Sequence, residues 1–191
     1  MSPPPNPSLK VNEADPACQS LIATEMGPDG DLVATRLARG CRCFGVWRDG
    51  DLAGYGWLST GPEWIGELEL EITPGTGEGY IWNCFTLSHL RRRGVLRALL
   101  AGIRERAQEV GLKRVWIGSV AIPAERAFGP SGFKPALAFE VVTAMRLHLM
   151  RVRAASDADT ALVLDASKVI GVVGQPLRFG PHLRLSHPRR H

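Results

Sequence analysis

The sequence predicts a mixed α/β fold, with a sheet of antiparallel and parallel strands flanked by helices, and 191 residues suit one such domain. Two observations lead to this class. Two short β-type runs are joined by Asp49-Gly50, a dipeptide typical of an antiparallel hairpin. Further on, an apolar segment over Tyr80–Leu87, an amphipathic helical pattern and a second apolar segment over Lys113–Val120 form a strand, helix, strand unit, whose strands run parallel.

The amino-terminal third predicts helices followed by the hairpin. Residues 1–8 are rich in proline and are expected to be disordered. Between Asp15 and about Gly40 the apolar spacing is helical, and the break GPDGD divides it into two short helices. After the hairpin, WIGELELEI at 64–72 alternates apolar residues with glutamates, which predicts one half-exposed strand.

The strand, helix, strand unit has the clearest pattern in the chain. The segment 80–87 is apolar and aromatic on both faces, so we place it as a central strand. The helix that follows Gly94 has a period of 3.6, and Gly111 stands where a C-terminal glycine cap belongs. Its apolar positions are Leu96, Leu99, Leu100, Ile103, Ala107 and Val110.

The carboxyl-terminal part predicts smaller elements. Residues 123–128 suit a short helix that stops at Gly129-Pro130, and 136–150 hold one or two strands. A further helix is predicted within 156–170, and the tail 186–191 is expected to be loose. We therefore divide the chain into a disordered start at 1–8, a domain at 9–153 and an extension at 154–191 that packs on the domain in part.

Composition excludes several classes. Apolar residues at 45% and charged residues at 22% are ordinary for a soluble globular protein. No apolar run approaches the roughly 20 residues that span a bilayer, and the start lacks a signal sequence, so a cytoplasmic location is expected. The four cysteines have no zinc-ligand spacing and the histidines form no i, i+4 pair, so we expect free thiols and no metal.

The helix start at residues 91–97 is the first candidate site. A helix amino terminus exposes N–H groups and carries positive partial charge, and Arg91, Arg92, Arg93 and Arg97 add full charges there. A pyrophosphate matches such a turn, although a solvated basic corner has the same composition. Neither a P-loop nor a Rossmann glycine motif is present at this turn, which disfavours ATP hydrolysis and hydride transfer.

A longer stretch carries a resemblance. TLSHLRRRGVLRALLAGIRERAQEVGLKRVWIGSV, followed by PAERAFGPSGF, resembles the acetyl-CoA-binding region of the GNAT superfamily of N-acetyltransferases. The resemblance runs from about Cys43 to about Leu149. It implies a mostly antiparallel central sheet with a splayed parallel strand pair, and acetyl-CoA as co-substrate without a metal. The residues that it implies for cofactor binding are Phe85, Thr86, Leu87, Arg91, Arg92, Arg93, Gly94, Val95, Leu96 and Arg97.

Three positions depart from the family pattern. The last small residue of the turn is replaced by Leu96, which puts a bulky side chain beside the phosphate loop. The asparagine that often contacts the cofactor is missing near Ala121 and Ile122. The tyrosine that protonates the departing thiolate in many members aligns with Phe128, which has no proton to give.

The chemistry of the family requires a deprotonated amine, an oxyanion donor and a proton for the thiolate. The resemblance implies a backbone N–H around Phe85 to Leu87 as the donor. Glu78 and Glu63 are candidates for the base, as is Glu71, while Glu67 and Glu69 suit a solvated strand face. Water, Cys84 or Ser131 could supply the proton, or none is needed; Cys84 also fits an acyl-carrying nucleophile or a buried structural thiol.

Three functions remain open at this point. The leading hypothesis is an acyl-CoA-dependent N-acyltransferase that moves acetyl to a primary amine on a small molecule or peptide. The second is a non-catalytic module that binds CoA or a partner protein. Nucleic-acid binding ranks low because no aromatic residues are interleaved with the arginines, and a homodimer stays open. Five aromatic residues line an acceptor pocket or fill the core: Tyr55, Trp57, Trp64, Tyr80 and Trp82.

Overall fold

The computed structural model describes residues 8–66, 68, 70–120, 122–144, 147–171 and 182–185. The strands are β1 (Leu9–Glu13), β2 (Arg42–Arg48), β3 (Asp51–Ser59), β4 (Glu63–Ile65), β5 (Leu70–Ile72), β6 (Glu78–Thr86), β7 (Arg114–Ile117), β8 (Leu137–Ala144), β9 (Leu147–Ala154) and β10 (His182–Leu185). The helices are α1 (Pro16–Met26), α2 (Leu32–Ala38), α3 (Val95–Glu109), α4 (Ile122–Glu125) and α5 (Thr160–Val169).

The chain divides into two compact units. The first spans residues up to 61 together with 74–133, and the second spans 62–73 together with the residues from 134 onward. The first unit contains a five-stranded sheet in the order β1-β2-β3-β6-β7. Its pairs are antiparallel except for β6 and β7, which run parallel. The predicted class, a mostly antiparallel sheet with one parallel pair and flanking helices, is confirmed.

The hairpin of β2 and β3 forms where the sequence predicts it. Asp49 has φ 54° and Gly50 has φ 96°, the left-handed pair that a two-residue hairpin loop requires. The strands pair from Arg42 opposite Leu58 to Arg48 opposite Asp51. An irregularity between Val46 and Trp47 shifts this register by one residue.

One face of this sheet is covered by α3. The helix begins after Gly94 and is followed by Gly111 with φ 79°, as the sequence predicts. Its apolar stripe packs against the sheet in a cluster that includes Leu58, Ile81, Leu99, Leu100 and Ile103, all at most 1% exposed. The helix approaches β3 closely because Gly54 and Gly56 have no side chains: a Cβ at Gly56 would lie 2.8 Å from the Leu99 Cδ2 atom.

The opposite face of the sheet is covered by α1 and α2, the two predicted short helices. Asp15 caps α1, with its carboxylate accepting a hydrogen bond from the Cys18 amide at 2.8 Å. Ile22 on α1 and Val33 on α2 pack in a second cluster with Trp57. The sheet is therefore covered on both faces within the first unit.

The second unit corrects one prediction. Residues 64–72 do not form a single strand, because β4 and β5 pair as an antiparallel hairpin from Glu63 opposite Ile72 to Ile65 opposite Leu70. The alternation of apolar residues continues through the turn after Gly66 and so conceals it; Glu67 and Glu69 lie outside the described residues.

The rest of the second unit contains a three-stranded sheet and a helix. Strands β8, β9 and β10 form an antiparallel sheet with β9 in the middle, so the 136–150 segment belongs to two strands. The predicted helix within 156–170 is α5, capped by the Asp159 carboxylate. Residues 1–7 and the tail 186–191 lie outside the described residues, and the proposed domain limits stay a prediction.

Candidate active site

The parallel pair opens toward the carboxyl ends of its strands. The ladder between β6 and β7 runs from Glu78 opposite Arg114 to Ile81 opposite Ile117. Strand β6 continues to Thr86, where its ladder is with β3 alone among the described strands. A gap therefore begins beside β6 after Ile81, at the strand end where open α/β sheets bind ligands.

Strand β6 carries a bulge beside this gap. Its register with β3 changes between Trp57 opposite Trp82 and Tyr55 opposite Phe85, so three residue steps on β6 face two on β3. Asn83 lies in the extra segment with φ 45°, a left-handed conformation that asparagine tolerates better than most residues. The bulge turns the last residues of β6 away from the regular path of the strand.

The backbone direction at the end of β6 selects one amide. The Leu87 N–H donates to the Ala53 carbonyl at 3.1 Å, so the sheet already uses this group. Successive amides of an extended strand point to opposite sides, and the Thr86 N–H therefore points away from β3, toward the gap. Of the three residues predicted here, Thr86 best matches a backbone donor for a ligand, because the Phe85 N–H, two residues before that of Leu87, also points toward β3.

The arginine-glycine turn follows directly. A 3-10 turn at Ser88–Leu90 leads to Arg92 with φ 62° and Gly94 with φ 85°. The first hydrogen bond of α3 joins the Ala98 N–H to the Gly94 carbonyl at 3.0 Å. The amides of Val95, Leu96 and Arg97 lie before that bond, at the positive end of the helix, which is the arrangement that binds phosphate.

The side chains of the turn separate into two groups. Arg91, Arg92 and Arg93 are exposed, and Arg97 is half-buried. Leu96 packs against the core cluster beneath α3, so its bulk faces the protein interior. The leucine that replaces a small residue here is therefore compatible with ligand access to the turn.

Glu78 lies at the other end of β6, at the start of the strand. Its carboxylate accepts hydrogen bonds from the Arg114 guanidinium at 3.2 Å, the Trp116 indole N–H at 2.8 Å and the Gly75 amide at 3.1 Å. These bonds join β6, β7 and the preceding loop. The structure therefore does not bring Glu78 together with Thr86 and the arginine turn.

The other two predicted catalytic residues lie apart in the chain. Cys84 is in the bulge, its Sγ atom 3.8 Å from the Trp82 carbonyl oxygen. Burial raises the pKa of the Cys84 thiol to about 12, so the thiol is protonated at neutral pH and is a poor nucleophile. Glu63 is 2% exposed and starts β4 in the second unit. Glu71, the other candidate base, is exposed on β5.

The segment that contains Phe128 packs against α3 within the first unit. The rings of Phe128 and Phe133 lie 6.2 Å apart, and both contact the cluster beneath α3. Arg104 on α3 donates to the Ser131 carbonyl at 2.9 Å, which ties this segment to the helix. The position of the expected proton donor is thus occupied by an apolar ring within a packed cluster.

A buried arginine contributes a contact that the sequence did not predict. Arg36 on α2 is 8% exposed, and its guanidinium carbon lies 5.1 Å from the Trp57 ring centre and 4.5 Å from that of Trp82. With the Asn83 amide oxygen turned toward it, Arg36 donates two hydrogen bonds, from Nη1 at 2.8 Å and Nη2 at 3.1 Å. The 47-residue separation between Arg36 and Asn83 gives no local sequence signal of the pair.

The five aromatic residues considered for an acceptor pocket differ in exposure. Tyr55, Trp57 and Tyr80 are buried core residues whose exposed fractions are 4%, 0% and 7%. Trp82 is half-buried. Trp64 is 58% exposed. A separate cavity of about 480 Å³ lies beside β1 and the hairpin loop and contains none of the predicted site residues.

The sequence predicts free thiols, no metal site and no membrane-spanning segment. All four cysteines are free thiols. Within the described ranges, no group of three or more His, Cys, Asp or Glu side chains is placed to hold a metal ion. No helix in the described part of the chain combines the length and apolar character needed to cross a bilayer. The cytoplasmic location stays a prediction.

Comparison with known families decides the relationship. The profile described as the acetyltransferase (GNAT) family matches residues 13–129, more than half of the chain. The chain belongs to the GNAT family of acetyltransferases. None of the curated proteins matches this GNAT chain in sequence.

Solved structures share the GNAT fold. The structure of AAC(6')-Iy in complex with a bisubstrate analog, CoA-S-monomethyl-acetylneamine, has a TM-score of 0.54 at 15% identity and covers 72% of this chain and 97% of its own. A transcriptional regulator from Bacillus halodurans C-125 has a TM-score of 0.51 at 16% identity, covering 72% and 99%. The ribosomal-protein-alanine N-acetyltransferase from Brucella melitensis biovar Abortus 2308 has 0.50 at 15%, also covering 72% and 99%.

These comparisons support a general chemistry. Family membership supports acyl transfer from an acyl-CoA as the kind of reaction, and the fold is that of acetyltransferases. The identities of 15–16% show the shared fold alone and leave the acceptor open.

Proposed function

We propose that this chain is an acyl-CoA-dependent N-acetyltransferase that moves the acetyl group of acetyl-CoA to a primary amine by direct attack. One observation carries the proposal: the Thr86 amide points into the gap beside β6, and within ten residues the chain forms the arginine turn and the start of α3. A thioester with a pyrophosphate on the same molecule matches these two donor sets in that order.

The backbone supplies the binding groups. The pyrophosphate would lie at the amides of Val95 to Arg97, where Arg92 and Arg93 add charge from the exposed side of the turn. The Thr86 N–H would then donate to the thioester arm or to the oxygen that becomes negative during attack. Because these donors are held by a sheet and a helix, they need little reorganisation during the reaction.

The reaction balances without a covalent enzyme intermediate. The amine nitrogen attacks the thioester carbonyl carbon, the carbon–sulfur bond breaks, and CoA leaves as a thiolate while the nitrogen loses one proton. With Phe128 at the usual tyrosine position, we propose that water protonates the thiolate, since a thiolate is a tolerable leaving group. Glu63, Glu71 and Glu78 stay candidates for the base, although three donors already bind the Glu78 carboxylate.

The second candidate function is a non-catalytic module that binds CoA or a partner protein. Phe128 favours it, because the apolar ring is packed against Phe133 and cannot donate a proton. Under this hypothesis the arginine turn binds the coenzyme, but no amine is acetylated. Affinity without turnover is the feature that separates the two functions.

The test measures binding and turnover on the same protein. Acetyl-CoA binding is measured by calorimetry, and free thiol release is followed with a panel of small-molecule amines and peptides, with product masses as confirmation. We expect binding together with amine-dependent thiol release and a product heavier by one acetyl group. Binding without turnover over the whole panel supports the module, and the absence of both rejects the coenzyme site itself.

A further inference from the structure

Arg36 forms a link between α2 and the bulge of β6 that the site described above does not use. Its guanidinium is buried against the rings of Trp57 and Trp82, which are tilted by 38° with centres 6.3 Å apart, and donates twice to the Asn83 amide oxygen. The Nη1 atom also lies 4.0 Å from the Met26 Sδ atom at the end of α1. One side chain thus connects both helices of this face with the strand that borders the gap.

This cluster buries a charge and polar groups, which lowers the stability of a hydrophobic core. A buried charge loses hydration and needs good contacts to compensate. In addition, the indole nitrogens of Trp57 and Trp82 are buried with no hydrogen-bond partner among the described residues. A smaller apolar side chain at position 36 would avoid the charge penalty, so stability alone does not account for an arginine here.

The bulge of β6 at Asn83 provides a structural role for Arg36. Asn83 holds the left-handed backbone conformation that inserts one extra residue into β6, and this insertion directs Phe85 and Thr86 along the gap. The two hydrogen bonds from Arg36 hold the Asn83 side chain, and through it the bulge, in one orientation. Contact with two indole rings restricts where the guanidinium can lie, so Arg36 has little freedom to move away from Asn83.

We propose that Arg36 is a positioning residue: acting through Asn83, it fixes the β6 bulge and thereby the direction of the Thr86 amide. The inference rests on the proposed acyl transfer, for which Thr86 is the backbone donor. It does not involve the arginine turn, which binds a different part of the coenzyme. Loss of Arg36 should therefore reduce the rate of acyl transfer more than the affinity for acetyl-CoA.

The test separates the side chain of Asn83 from its backbone. Asn83→Gly keeps the left-handed conformation accessible but removes the amide, whereas Asn83→Asp keeps an oxygen acceptor for Arg36. We expect kcat to fall about 10- to 100-fold in Asn83→Gly and in Arg36→Met, the loss typical of a sub-ångström to 1 Å misplacement, while acetyl-CoA affinity changes less than about threefold. Asn83→Asp should stay close to the natural protein.

A double variant and a matched control complete the design. Arg36→Met combined with Asn83→Gly should lose little more than either single change, because both remove the same contact. Arg42→Met is the control: Arg42 also makes a bidentate contact, with Glu13 at 2.8 and 2.6 Å, but at the β1–β2 edge. It should lower the melting temperature without changing kcat per folded molecule.

The outcomes distinguish the inference from the function on which it rests. If the natural chain acetylates an amine and Asn83→Gly or Arg36→Met does so equally fast, the positioning role is wrong. If the natural chain has no turnover, the proposed function fails, and hydrogen exchange of the ligand-free protein then tests the link alone. Faster exchange of the amides at 83–86 in Arg36→Met supports the link, and unchanged exchange rejects it.

Discussion

Replacing Gly54 by alanine tests whether the end of β6 sets the rate of the reaction. Gly54 lies on β3 opposite Thr86. A Cβ built at this position would lie 2.5 Å from the Phe85 carbonyl oxygen and 2.9 Å from the Val95 Cγ1 atom. Real Cβ contacts are essentially never shorter than 3.0 Å, so the backbones of Gly54 and Phe85 must separate by at least about 0.5 Å.

This displacement has two expected effects. Overpacking of a core costs about 1–3 kcal/mol, which for a chain of this size lowers the melting temperature by roughly 2–12 °C. Because the shift acts beside the Thr86 amide, kcat should also fall about tenfold, scaled from the 100-fold cost of a 1 Å misplacement. Thermal denaturation and thiol release with a reactive amine measure the two effects on one preparation.

The control is Gly66→Ala, where an added Cβ meets nothing within 4 Å and φ is not positive. It should leave both quantities unchanged. If Gly54→Ala lowers the melting temperature but keeps the natural kcat, the end of β6 does not carry the reacting group. If Gly54→Ala changes neither quantity, the packing argument itself is refuted.

Three further predictions concern charged side chains. Arg92→Glu together with Arg93→Glu should weaken acetyl-CoA binding about tenfold or more in calorimetry, because two favourable charges at a helix amino terminus become repulsive. Glu78→Gln should lower the free energy of unfolding by about 1–3 kcal/mol in urea denaturation, because a carboxylate that accepts three hydrogen bonds becomes an amide. The hydrogen bond from Arg42 holds the pKa of Glu13 below its ordinary value of 4.5. Ionised Glu13 therefore stabilises the fold above about pH 4.5. Thermal scans should show that this stabilisation is lost as the pH falls through the lowered pKa of Glu13.

A specific result would contradict each of these three predictions. Unchanged affinity in the double arginine variant would reject the phosphate cradle. The matched reversal of the exposed pair Arg151 and Arg153 is the control and should leave the affinity unchanged. A loss of kcat in Glu78→Gln by several orders of magnitude at natural stability would instead support a catalytic base. For Glu13, the removal of acid sensitivity in Glu13→Gln is expected, and an unchanged acid limb contradicts the assignment.

Local signals in the sequence predicted most of the first unit. The Asp49-Gly50 turn and the period of α3 depend on neighbours within a few residues, and both elements formed as expected. The split of 64–72 into β4 and β5 could not be predicted from alternation, because a short hairpin can keep the same apolar alternation on both sides of its turn. Gly66 was the one local signal of that turn.

Only those parts of the candidate site that depend on local sequence could be predicted. The turn at Gly94 follows from a local motif, whereas the bulge at Asn83 depends on the register between β3 and β6. Selection of Thr86 over Leu87 requires knowledge of which amide the sheet already uses. The contact of Arg36 with Asn83 joins segments far apart in sequence, so only the folded chain shows it.

Because the β6–β7 ladder ends early, ligand binding should affect the stability and aggregation of the protein. A strand with unsatisfied backbone groups is a template for pairing with other chains, and most folds cover such edges. Among the described residues, the side of β6 that faces away from β3 has no strand partner after Ile81, so a ligand that occupies the gap also shields an aggregation-prone edge. At a concentration 100 times its Kd, such a ligand adds about 2.7 kcal/mol of stability. Under the proposed function, the supply of acetyl-CoA would thus regulate how much of this protein stays folded, in addition to how fast it works.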